Sequence, residues 1–212
     1  MVFLNDNEVA SWYDQTAIAK GSRAGDLRFV DVTGDNKVTN ADKVYLGSRI
    51  PKYTFGLNLG LAYSGIDFSM LIQGVAGVKG LLTSYAGLAF NQEGNIQRWQ
   101  MKENWNVQQD NRYPGYPRLE VTSGSGSPNT QLSDFWVLNA SFVKVRNIQV
   151  GYTIPQNQTK KWGVSNARVY LSLDNPISID HYKKGWDPEN TKNNGTYYPV
   201  MSTYTLGLTL SF

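Results

Sequence analysis

The stretch Thr203-Tyr-Thr-Leu-Gly-Leu-Thr-Leu-Ser-Phe212 decides the fold of this chain. Tyr204, Leu206, Leu208, Leu210 and Phe212 share one parity, and Thr203, Thr205, Gly207, Thr209 and Ser211 share the other. Successive side chains of a strand point to opposite faces, so one face is wholly apolar and the other small and polar. A soluble domain has to cover such a face. In an outer-membrane β-barrel the apolar face meets lipid and the polar face lines the lumen.

The same pattern recurs upstream. Tyr53, Phe55, Leu57, Leu59, Leu61 and Tyr63 alternate with Thr54, Gly56, Asn58, Gly60 and Ala62. That length matches the roughly 9–11 residues of a tilted membrane-crossing strand. Ser64-Gly65 predicts a tight hairpin turn. Ile66, Phe68, Met70 and Ile72 continue an apolar face against Asp67, Ser69 and Gln73, interrupted by Leu71. Between Phe142 and Ile154 the apolar parity switches near Asn147. The switch predicts a bulge or a lumen-facing patch carrying Lys144 and Arg146. Ala167 to Asp174 reads as a fourth strand and Thr203 to Phe212 as a fifth.

The connections alternate in length. Ser64-Gly65 and Pro155–Asn166 are shorter, whereas 1–52, 74–141 and 175–202 are long, as in barrels with short periplasmic turns and long extracellular loops. Glu93 to Trp105 is a candidate short helix within the second long segment. The expected fold is all-β, with antiparallel strands forming the C-terminal part of a large outer-membrane β-barrel. Residues 1–52 are expected as an extracellular loop segment, and 53–212 as barrel strands with loops 74–141 and 175–202. Five strands are too few to close a barrel, because the smallest have about eight and an open edge is not viable in lipid. The chain therefore reads as the tail of a larger barrel or one part of a split one.

Composition agrees. Apolar residues make up 41%, charged residues 17% and aromatics 13%, with 13 Tyr and 6 Trp. Amphipathic rings suit a water–lipid boundary, and equally a sugar-binding surface. A net charge of +3, scattered along the chain, gives no nucleic-acid footprint. No Cys and a single His, His181, leave no disulfide, no thiolate chemistry and no two-imidazole site. Residues 1–10 lack the basic start and apolar stretch of a signal peptide. An exporting segment, if the chain has one, is expected outside this sequence.

Several phrases resemble the C-terminal end of SusC/RagA-type TonB-dependent outer-membrane transporters. They are Gly25-Asp-Leu-Arg-Phe-Val-Asp-Val-Thr-Gly-Asp35, Gln73-Gly74, Phe142-Val-Lys-Val-Arg-Asn-Ile-Gln-Val-Gly-Tyr-Thr-Ile-Pro155, Gly185-Trp-Asp-Pro-Glu189, Tyr198-Pro199 and the terminal strand. They fall in the family's order across most of residues 25 to 212. The resemblance implies a plug inside a barrel of about 22 strands, import energised through TonB, and a SusD-like surface lipoprotein as a lid. It implies oligosaccharides or peptides as cargo and the outer membrane of a Gram-negative bacterium as the location. Plug and TonB-contacting segment have no counterpart in these residues, so the implied partners are the rest of the barrel and plug, TonB through that plug, the lipoprotein and outer-membrane lipid. It also implies that Tyr204, Leu206, Leu208, Leu210 and Phe212 form the signal read by the barrel-insertion machinery.

Asp31, Thr33, Asp35, Lys37 (through its carbonyl) and Asp42 stand at the first, third, fifth, seventh and twelfth positions of a calcium-loop-like motif. Asn36 replaces the turn glycine and Asp42 the bidentate glutamate. The alternative is a polar turn closed by Asx hydrogen bonds. Trp99, Trp105, Trp136 and Trp186 lie in long loops, where they could stack on sugar, pack against a lid, or anchor their own loops. The carboxylate pairs Asp187/Glu189 and Asp174/Asp180 have no sequence feature placing them in a cleft, Thr122–Ser127 reads as flexible loop, and no catalytic constellation is present. A second reading remains: a secreted β-sandwich that binds glycans, with a structural Ca²⁺ in the Asp31 loop.

Overall fold

The computed structural model describes residues 1–108, 111–121, 126–183, 185–191 and 195–212. Most of the Thr122–Ser127 run lies outside the described residues. The strands are β1 (Tyr53–Tyr63), β2 (Ile66–Ala76), β3 (Lys79–Leu81), β4 (Val137–Asn139), β5 (Phe142–Thr153), β6 (Asn166–Asp180) and β7 (Thr203–Ser211). Five of them form one sheet in the order β1-β2-β5-β6-β7, antiparallel throughout, while β3 and β4 pair separately. The long strands thus follow sequence order. The β1–β2 and β5–β6 connections lie at one end of the sheet, and the β2–β5 and β6–β7 connections at the other.

The register places the alternating residues in rows. Leu61, Phe68, Val150, Leu171 and Leu206 are neighbours across all five strands, as are Leu59, Met70, Ile148, Leu173 and Tyr204. On the opposite face run Gly60, Ser69, Gln149, Ser172 and Thr205. The β1–β2 hairpin turns on Ser64 (φ 51°) and Gly65 (φ 85°). Two consecutive positive φ values give the primed turn whose twist matches paired strands.

The parity switch in β5 is a bulge. Ile72 pairs with Val145 and Leu71 with Asn147, so Arg146 is the extra residue on the β2 side. On the other side Val145 pairs with Ile177 and Asn147 with Asp174. The bulge keeps Val143 and Val145 on the face of Ile148 and Val150. It also allows β6 to run six residues past the expected end at Asp174. Asn175 takes a left-handed φ of 48° there, and Pro176 sits where the ladder is already broken, a position proline tolerates.

The chain divides into two compact units. One holds Gly47–Gly80, Leu138–Thr191 and Tyr197–Phe212, and contains the five-stranded sheet. The other holds Met1–Leu46, Leu81–Val137 and Lys192–Thr196. This loop unit has a core of its own, built from Val2, Phe3, Leu27, Val38, Leu82, Tyr116 and Trp136. Val2 and Leu27 form an antiparallel bridge. Its helices are short: Asp6–Ser11 is capped by the Asn5 side chain, and Arg98–Glu103 replaces the longer helix expected over 93–105.

Candidate functional site: a lipid face and a polar wall face

The apolar face of the sheet is bare. Leu61 is 72%, Leu206 77% and Leu208 62% exposed, and Tyr53, Tyr63 and Phe212 are more than two-thirds exposed. Among the described residues no second sheet packs over them. A β-sandwich differs, because its inward strand faces interdigitate. Tyr204, Leu206, Leu208 and Leu210, expected from sequence to form an assembly signal, all lie on this face of β7.

The opposite face carries linked polar side chains. Arg168 of β6 donates to Asp67 of β2 at 2.5 and 2.9 Å and to Gln149 at 3.2 Å. The pair reaches across β5 because Gly151 lies between them. A Cβ there would stand 2.4 Å from both side chains. The Tyr170 ring lies over Gly207 in the same way, 2.1 Å from a hypothetical Cβ. Arg168 also sits 5.0 Å above that ring. Near the bulge, Asn147 donates to Ser172 at 3.0 Å and to Asp174 at 2.7 Å. Lys144 Nζ donates to Asp187 at 2.7 Å and Glu189 at 2.8 Å. Arg146 donates to Gln73 at 2.8 Å, to Asn175 at 3.3 Å and to Glu189. The Asp187/Glu189 pair, which no sequence feature placed, thus serves the strand cations. The parity switch was the signal that pointed there.

The loop aromatics have unequal fates. Trp136 is 1% exposed, so it is not a surface residue. Its ring meets Tyr116 and Phe135 edge-on, and its Nε1 donates to the Asn129 carbonyl. Trp136 anchors its own unit. Trp99, half-buried, sets its ring edge-on to Tyr116 at 5.4 Å and donates to Gln97. Burial pushes the Tyr116 phenol up to about 12, and its oxygen accepts from Ala89 N. The Trp105 ring lies against Gly25, where a Cβ would stand 2.2 Å from it. Trp186 packs on Tyr197, whose hydroxyl accepts from Asp187 N at 2.8 Å. Trp12, not among the aromatics expected at the site, donates to Phe29 O, stacks beneath Arg28 at 4.1 Å and lines an open cleft of about 370 Å³ with Phe3, Tyr13 and Gln15.

In the Asp31 loop the carboxylates face amides. Asp31 accepts from Gly34 N, Asn36 N and the Thr33 hydroxyl. Asp35 accepts from Lys37 N. Asp42 accepts from Val32 N, Thr33 N, the Thr33 hydroxyl, Thr39 N and the Thr39 hydroxyl, and closes a capping box on Asn40–Asp42. The Thr39 and Thr33 amides hold its carboxyl far below the usual carboxylate range. Asn36 takes the left-handed φ of 65° that a glycine would otherwise supply. Among the described residues no three acidic or imidazole side chains converge as a metal cluster.

An antiparallel sheet with one bare apolar face and one charge-linked polar face is a piece of outer-membrane β-barrel wall. Sequence comparison leads to the same class. The chain is 27% identical over 211 residues to TonB-dependent receptor P3 of Formosa agariphila, covering 93% of this chain and 20% of that receptor. It is 29% identical over 188 residues to TonB-dependent receptor SusC of Bacteroides thetaiotaomicron, covering 87% and 17%. No protein-family model matches it. Among solved structures, the RagAB peptide importer in its closed-closed state superposes with a TM-score of 0.62 at 23% identity, over 87% of this chain and 20% of that one. The RagAB peptide transporter superposes with a TM-score of 0.61 over 84% and 19%. The chain is thus similar in sequence and fold to a SusC/RagA-type segment, and spans about a fifth of the length of the relatives it matches. Those relatives are named as receptors, an importer and a transporter.

Proposed function

We propose that this chain is a wall segment, with its loops, of a TonB-dependent transporter in the outer membrane of a Gram-negative bacterium. The single supporting observation is the row of uncovered apolar side chains, Leu61, Phe68, Val150, Leu171 and Leu206, running across five strands and backed by a polar face rather than a core. Among the described residues β1 and β7 are the edges of the sheet, and further strands of a barrel would pair with them. In this reading the lumen face belongs to the polar wall described above. The loops at the long-connection end meet cargo, an oligosaccharide or peptide, and a SusD-like lipoprotein. Energy arrives through TonB acting on a plug.

The test places one charge on each face of β7 in the full transporter. Leu206→Arg is expected to lower the stability of the assembled barrel by about 2–4 kcal/mol, the cost of a cation at mid-bilayer depth. Thr205→Arg, aimed at the lumen side, is expected to leave heat resistance and surface level near the parent's. Equal behaviour of the two variants in denaturant titration in bilayers would remove the lipid-facing assignment.

We further propose that the Asp31 loop is closed by its own amides rather than by Ca²⁺, because Asp31 and Asp42 already use both oxygens. Hydrogen-exchange protection at Thr33 and Asn36 is expected to be the same with Ca²⁺ as with chelator, and higher protection with Ca²⁺ would assign the metal. The Asp42 carboxyl is held below its unfolded value of about 3.9. Its stabilisation is therefore complete above that pH and lost as pH falls toward the folded value. Protection at Thr39 is expected to decline in acid in the parent, and to be low and acid-insensitive in Asp42→Asn.

A further inference from the structure

Among the described residues, the segment 185–191 is tied to the wall through Lys144 and Arg146. Lys144 is 5% exposed, which is rare for a lysine on a strand. Its charge is met by two carboxylates from a single short turn, Asp187 and Glu189. Arg146 reaches the same Glu189. Strand alternation alone would put Lys144 and Arg146 on one face and leave Asn147 on the other. The bulge at Arg146 instead places Lys144, Arg146 and Asn147 together: Gln73 and Asn175 hold Arg146, and Ser172 and Asp174 hold Asn147. Two cations on the wall therefore face two anions on the loop. The turn presenting those anions is itself braced, since Asp187 Oδ1 accepts from Glu189 N at 3.0 Å and Asp187 N donates to the Tyr197 hydroxyl.

We propose that Lys144 and Arg146 form a charge latch that straps residues 185–191 across the polar face of the wall, so that the strap is an ordered part of the lumen lining rather than a free extracellular loop. The ion pairs are shielded from water on the Lys144 side, so each is harder to replace than a surface pair. Arg146 adds geometry: its guanidinium spans Gln73 of β2, Asn175 of β6 and Glu189 of the strap. Releasing the carboxylates frees the strap without touching the strand ladder. The inference rests on the barrel-wall reading only for which compartment the strap lines; the latch itself is a property of the sheet unit.

The test uses the full transporter with any cysteines outside these residues replaced by serine and one introduced as Asn190→Cys; the 212 residues themselves contain no cysteine. Maleimide labelling at that position is expected to be slow in the parent. It is expected to rise at least tenfold in Asp187→Asn combined with Glu189→Gln, which leaves the wall strand intact. Lys144→Met is expected to raise it similarly, and Lys144→Arg to keep it slow, since that variant retains the charge. Labelling is followed on whole cells and again on detergent-solubilised protein. Unchanged labelling in the Asp187/Glu189 variant in both settings overturns the latch. A rise in detergent without outside access on cells keeps the latch and sinks the proposed orientation in the membrane instead.

Discussion

Asp26→Ala is expected to destabilise the loop unit by about 3–5 kcal/mol, the usual cost of removing one partner from a buried ion pair. Asp26 has no exposed surface. Arg118 forks onto both of its oxygens at 2.9 and 3.1 Å. Asn129 donates to it at 2.8 Å and the Arg23 amide at 2.9 Å. Three chain segments, around residues 23–28, 116–120 and 127–130, are tied at this one carboxylate. Removing it leaves the Arg118 head, among the described residues, paired with Glu120 and frees the Asn129 amide from Asp26, while the Asn129 oxygen holds Leu27 N. The measurement is hydrogen exchange in the intact protein. Amides of Phe3, Leu27 and Arg118 are expected to exchange roughly two to four orders of magnitude faster, at 1.4 kcal/mol per tenfold. Strand amides of β5 and β6 serve as the internal control. Unchanged exchange at Leu27 would show that the pair does not hold the unit together.

Trp136→Ala is expected to cost about 3–5 kcal/mol, in the same unit but by a different mechanism. The side chain is fully enclosed, so its loss forfeits buried apolar area and leaves a cavity lined by Tyr116 and Phe135. The substitution also removes the indole donor to Asn129 O, whereas the backbone bond from Leu82 N to the residue-136 carbonyl is retained and reports whether the segment opens. Tyr116 gives a second readout. Burial holds its phenol at about 12, and opening the neighbouring volume to water is expected to bring it back toward 10. Ultraviolet titration of tyrosine against the parent tests this. If Trp136 acts instead on cargo or a lid, the variant will lose uptake while exchange at Leu82 stays slow.

Much of the wall was legible in the chain. Strict alternation in Tyr53–Tyr63 and Thr203–Phe212 left one arrangement per strand, because a slip of one residue would turn leucines into the lumen. The Ser64-Gly65 hairpin followed from two residues that tolerate positive φ. The end of β6 was hidden, since Asn175-Pro176 carries a loop's signature and only the pairing of Ile177 and Ile179 with Val145 and Val143 shows otherwise. The loop residues were legible as types but not as partners. Asp31 and Asp42 stood at metal-ligand spacing, and spacing cannot say whether an amide or an ion takes the lone pairs. Trp136 and Trp186 looked alike in sequence; one lies inside a core and the other braces a turn.

The alternating stretches by themselves determined the strands and which residues share each of their two faces, because side-chain parity is a local property of extended backbone. Only the tertiary structure decided that Asp26 binds Arg118 and that Lys144 binds Asp187 and Glu189. Those pairs join residues 92, 43 and 45 positions apart, and no local periodicity encodes a contact made after the chain has turned back on itself.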